Sequence, residues 1–192
     1  MAILILGLAI FLGSHSVRIY ADDWRCAIRA RLGEHAWKGA YSLISLAGFS
    51  LIIWGFALAR QTSPMLLATP LAMRHAAALL TAPAFVLLAA TYVPKNGIKA
   101  ALHHPMLLGV QLWALAHLLT NGKLADLVLF GSFLAWAIAG YRAARKRDSL
   151  AGTTYPAGTM PATLITLALG LAAWIAFAFW LHGLLTGVRP FG

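Results

Sequence analysis

Three histidines and one arginine define the chemistry this chain could carry out. His15 lies near the end of the first apolar run, with Arg18 three residues on and so on the same helical face. His104 immediately precedes Pro105, and His117 stands shortly before the breaker Asn121-Gly122. Ionisable side chains are costly in segments this apolar and mark functional positions. A neutral imidazole ligates a metal through one ring nitrogen while a partner on the other fixes its tautomer. A guanidinium pairs well with carboxylates. Other chemistries lack their parts. The acids are only Asp22, Asp23, Glu34, Asp126 and Asp148, all near or outside the ends of apolar runs. No Ser-His-Asp arrangement, phosphate loop or paired carboxylate is present. The single cysteine, Cys26, allows neither an intrachain disulfide nor a Cys-based cluster.

Helix arithmetic separates the histidines. His104 and His117 are 13 residues apart, which places them about 140° apart around a straight helix and about 20 Å apart along it. They cannot both ligate one ion. Two axial nitrogens on one metal lie only about 4 Å apart, so depth favours His15 with His104. The plainer alternatives are a polar anchor for His15, a residue at the start of a helix for His104, and a hydrogen-bonded bundle residue for His117. His35, His75 and His182 sit near the ends of apolar runs and read as interfacial.

The frame that positions these residues is a membrane one. The chain has 192 residues, 61% hydrophobic and 10% charged, against roughly 25% charged in a soluble domain. The reading is an all-α, polytopic bundle of about six transmembrane helices, forming one domain over 1–192. Spans are expected at about 1–20, 39–59, 71–93, 105–120, 124–141 and 162–185, near the roughly 20 residues that cross a bilayer. A short amphipathic helix over about 22–32 should lie at the interface, with Trp24 at headgroup level and snorkelling arginines. Pro83 should kink the third span. Gly131, Ala135 and Ala139, and likewise Ala168, Ala172 and Ala176, form small faces that invite close helix approach. No cleavable signal peptide is evident.

The formal net charge of +10 does not point to nucleic acid, because the basic residues gather between apolar runs. Eleven of the 15 Lys and Arg fall on one side of the six-span topology, in the first, third and fifth connections. Arg60, Arg74, Lys123 and Arg189 fall on the other. The positive-inside rule then makes the basic side cytoplasmic. The expected location is a bacterial inner membrane, with both termini periplasmic.

An ordered set of motifs carries a family resemblance. They are His15-Ser16-x-Arg18, Leu32-Gly33-Glu34, Tyr41-Ser42-Leu43-Ile44-Ser45-Leu46, His104-Pro105 through Asn121-Gly122, and Leu129-Phe130-Gly131-Ser132-Phe133-Leu134-Ala135-Trp136. In these, covering most of residues 1–147, the chain resembles the NnrU family of bacterial membrane proteins. That resemblance implies a link to denitrification and nitric oxide metabolism. It extends to the plant zeta-carotene isomerase, regarded as a haem b protein, whose proposed axial histidines map to His15 and His117. The cysteine of its Cys-Leu-Ala-His motif falls on Ala114, so a thiolate ligand is absent there. The resemblance thus favours His15 with His117, and depth favours His15 with His104. Arg18 and Arg142 are candidates to meet haem propionates, or else positive-inside anchors.

A His-Pro step opening a membrane helix is also similar to isoprenylcysteine carboxyl methyltransferases. Here His103 replaces their arginine, and the basic run Arg142 to Arg147 stands in place of their acidic cluster. Three functions therefore compete. One is a haem b protein supporting nitric oxide or nitrite metabolism, with isomerase-like chemistry open to it. The second is a haem-free assembly or stability factor partnering a respiratory or denitrification enzyme. The third is an isomerase or methyltransferase-like enzyme with a cofactor site on the cytoplasmic face.

Overall fold

The computed structural model describes residues 1–70 and 72–191 and is helical throughout, without a β-strand among them. Nine helices follow in chain order: α1 Ala2–Tyr20, α2 Asp22–Leu32, α3 Glu34–Thr62, α4 Ala72–Tyr92, α5 Gly97–Leu102, α6 Pro105–Thr120, α7 Leu124–Leu150, α8 Met160–Ala176 and α9 His182–Thr186. A single π-helical turn, Phe177–Leu181, joins α8 to α9. Five apolar helices are long enough to cross a membrane, and the sixth, α6, is shorter at 16 residues. The expected start of the third span at Leu71 lies outside the described residues, and Gly192 of the expected single domain does too.

Several helix boundaries differ from the expected spans. α3 begins at Glu34 and α7 continues to Leu150, so both carry charged residues beyond their apolar windows. At such ends long side chains reach toward polar surroundings. Pro105 occupies the first turn of α6, where its missing N–H costs nothing. Asn96 stops the chain between α4 and α5. Its amide donates to the carbonyls of Ala90 and Val93, and its oxygen accepts from the Lys99 N–H.

The long helices form a row. α3 packs on α1, α1 on α7, α7 on α6, α6 on α4 and α4 on α8, while α3 also touches α7 and α2 lies against α3. Glycines allow the closest approaches. A Cβ on Gly55 would stand 2.4 Å from the Leu4 nitrogen, and one on Gly7 would stand 2.6 Å from the Ile52 nitrogen. On the other flank, a Cβ on Gly170 would stand 2.5 Å from the Val86 Cα. The small faces expected from spacing are not the ones used. Gly131 has nothing within 4 Å of its Cβ position, and Ala168 and Ala172 are exposed. α7 instead buries Ala137, Gly140 and Ala144, and α8 buries Thr166 and Gly170. The reason is that a row gives each helix neighbours on particular sides only, and small residues on the remaining faces meet none.

One core joins α1, α3, α6 and α7 through Leu4, Leu8, Leu12, Ile52, Ala59, Ala114, Ala125, Leu129 and Phe130. Polar groups collect at the two ends of the row. At the end without the basic cluster, Asp126 is only 1% exposed. It accepts the Lys123 N–H and pairs with Arg60 at 3.3 Å. Arg60 also donates to Asn121, and the Lys123 ammonium donates to the Arg60 carbonyl. This cluster ties α3, α6 and α7 together and lines a cavity of about 340 Å³.

Candidate functional site

The histidines separate into three places. At the basic end, His104 precedes α6 and its Nε2 lies 2.8 Å from an Asp148 carboxylate oxygen. The Tyr155 hydroxyl donates to the same oxygen at 3.0 Å. His103, held at a positive φ of 67°, stacks on the Tyr155 ring with centroids 4.1 Å apart. Tyr155 sits in the loop after α7. Burial and then the neighbouring Asp148 carboxylate push its hydroxyl above the ordinary phenol range. The carboxylate therefore already occupies the His104 nitrogen that would face a metal, and this group clasps α6, α7 and the following loop.

His15 lies on α1, deeper than this cluster. Its Nδ1 is 2.7 Å from the Phe11 carbonyl four residues earlier. A carbonyl only accepts, so Nδ1 carries the proton and Nε2 carries the lone pair. No described residue bonds that Nε2. Phe11, Tyr41 and Trp136 surround the ring at centroid distances of 4.2, 5.2 and 6.0 Å. A cavity of about 310 Å³ opens beside it, lined by Ser14, His15, Arg18, Arg25, Trp37 and Tyr41. Arg18 thus shares a hollow with His15, as their spacing on one face requires. Arg25 is paired with Asp22 at 2.7 Å, which holds the Asp22 carboxyl below its usual range.

His117 repeats the His15 arrangement at the other end of the row. Its Nδ1 is 2.8 Å from the Trp113 carbonyl, again four residues back, so its Nε2 also keeps the lone pair. Its ring stacks against Phe130 at 4.5 Å and lies 5.1 Å from Trp113. Among the described residues His15 and His117 share no aromatic contact. Their aromatic contacts on α7 are Trp136 and Phe130, six residues and so about 9 Å apart along the helix. Phe133 lies between, in contact with both Phe11 and Trp113. His15 therefore stands opposite neither His104 nor His117 across a single ion. Arg142 is exposed on α7, beyond Tyr141.

Sequence reasoning passed over His182. The π-turn and α9 bring its ring to 6.4 Å from that of His117, with the planes 28° apart. Its Nδ1 lies 2.7 Å from the Val188 carbonyl and 3.1 Å from the Thr186 hydroxyl. That hydroxyl donates to the His182 carbonyl, leaving its oxygen to accept. His182 is thus a third imidazole with a protonated Nδ1. Its only sequence signal was its type, at a position that read as interfacial.

Among the described residues no group of three or more His, Cys, Asp or Glu side chains could hold a metal ion. The donor chemistry available is paired or single imidazoles in aromatic surroundings. Such a set is too small for a bare zinc ion, which takes three or four protein ligands. It suits haem iron, whose macrocycle supplies four nitrogens and needs one or two imidazoles from the protein. In comparison with known proteins, the family described as NnrU protein matches residues 3–190. No curated protein and no solved structure matches the chain.

Proposed function

Because the chain belongs to the NnrU family, we propose that it is a b-type haem protein of the bacterial inner membrane that supports nitric oxide or nitrite metabolism. The observation that carries the haem part is the state of His117. Its imidazole is held by the Trp113 carbonyl through Nδ1 and walled by Trp113 and Phe130, with Nε2 unengaged. A backbone partner on one nitrogen is how proteins fix a ligating imidazole. His15 is held in the same tautomer, but in a separate cavity beside Arg18 and away from His117. Bound haem would supply reversible one-electron chemistry. The protein's part is to orient the imidazoles and keep bulk water from them.

The metabolic part rests on the link that the family resemblance implies. In this reading the basic end, with α2, α5 and the C-terminal turns of α7, faces the cytoplasm, and both termini face the periplasm. A respiratory or denitrification enzyme is the partner this role calls for.

The test is the visible spectrum of the full chain, purified in detergent and supplied with haem. A stoichiometric Soret band that His117→Ala abolishes is the expected result. Well-folded, haem-supplied protein without such a band would instead favour a haem-free assembly factor. Calorimetric binding of S-adenosylmethionine would favour the transferase.

A further inference from the structure

We propose that His182 is the axial partner of His117, so that the two imidazoles hold one haem iron between their Nε2 atoms at the end of the row away from the basic cluster. This rests on the haem reading above and assigns the ligand pair within it.

Three observations carry it. The first is spacing. Two imidazoles bound to one first-row ion through Nε2, at about 2.0–2.1 Å each, place their ring centres about 6.3 Å apart. The rings of His117 and His182 stand 6.4 Å apart. The second is protonation. The Trp113 and Val188 carbonyls fix both Nδ1 atoms as donors, so both rings present a lone pair at Nε2, the form a metal requires. The third is the donor count. No third His, Cys, Asp or Glu among the described residues completes a bare-ion site with them, while two imidazoles complete the coordination of an iron already holding a macrocycle.

The surroundings agree. Phe130 and Trp113 flank His117, and Phe177 stands 5.8 Å from the His182 ring. The π-turn immediately before His182 is a feature frequent at functional sites. Arg189 packs its side chain over Gly183, one residue from His182. It supplies a cation at the same end for a propionate.

The experiment is ferric electron paramagnetic resonance and near-infrared magnetic circular dichroism of the haem-loaded full chain. Wild type, His182→Ala, His182→Gly with added imidazole, and His15→Ala are compared. The expected wild-type signal is low-spin with bis-imidazole signatures. His182→Ala shifts it to high-spin, imidazole restores the low-spin signal in His182→Gly, and His15→Ala leaves it unchanged. Iron-free protoporphyrin IX serves as the control, and its retention should not depend on His182. A low-spin spectrum retained in His182→Ala, or lost in His15→Ala, overturns this pairing and leaves haem binding intact. A high-spin wild-type spectrum also overturns the pairing. Absence of any Soret band overturns both readings.

Discussion

The same imidazole device appears three times in this chain. A ring nitrogen is given to a backbone carbonyl, and the other is left bare. His15 and His117 achieve it with the carbonyl four residues earlier on their own helix, and His182 with Val188 beyond its helix. The buried carboxylate of Asp126 shows the opposite logic, with its charge met by Arg60 and by the Lys123 N–H. Asp126→Ala leaves the Lys123 N–H without its acceptor and the Arg60 guanidinium with only Asn121. The expected loss is about 1–3 kcal/mol, read as a lower melting temperature in detergent.

Asp22 gives a pH-dependent counterpart at the interface. The hydrogen bond from Arg25 lowers its folded pKa below the ordinary aspartate value of 3.8. The stability it contributes is therefore present above that value and is lost as pH falls through the lower folded one. Acidification below about pH 4 should loosen α2, and Asp22→Asn should remove the acid-dependent step. Trp24 fluorescence would follow both. At this scale His15, Arg18, His104 and His117 were legible, because an ionisable type in or beside an apolar run stands out. His182 was not, because its meaning depends on a neighbour 65 residues away.

Among the elements, the tightest joint is α1 against α3. Gly55→Val should cost about 1–3 kcal/mol or more by overpacking, since its added carbon meets the Leu4 backbone. Gly131→Ala should be neutral or stabilising by up to about 1 kcal/mol through helix propensity, because its Cβ position is open. Thermal melts of the two variants decide between this packing and one built on the Gly131 face. Element existence was readable from long apolar runs and from the breakers Pro94, Asn121-Gly122 and Gly152. The packing faces were not. Four-residue spacing marks where a helix could be approached, and only the arrangement of neighbours decides where it is. The π-turn was equally hidden. Phe177 to Leu181 reads as ordinary apolar helix, yet one extra residue in that turn rotates everything after it by about 100°.

For the whole molecule, charge asymmetry predicts orientation more simply than any contact. Cys26 is the single cysteine and is exposed on α2. A membrane-impermeant maleimide should label it in inverted inner-membrane vesicles and not in intact spheroplasts. Labelling in spheroplasts would reverse the proposed topology. Along α6, His117 is too remote from His104 to share an ion with it, and the imidazole that stands near it comes from the last helix.

The row places α7 between α1 and α6, although it is synthesised after both. Among the described residues the hairpin of α1 and α3 and the pair of α4 and α6 both pack on α7, and they meet directly only at the connections, where Arg60 donates to Asn121 and Thr69 to the Thr120 carbonyl. Before α7 arrives, the two helix pairs are then joined in the lipid by these connections alone. A chain arrested before Leu124 should remain two loosely joined, protease-sensitive helix pairs, and the arrival of α7 becomes the step that commits the protein to its folded form.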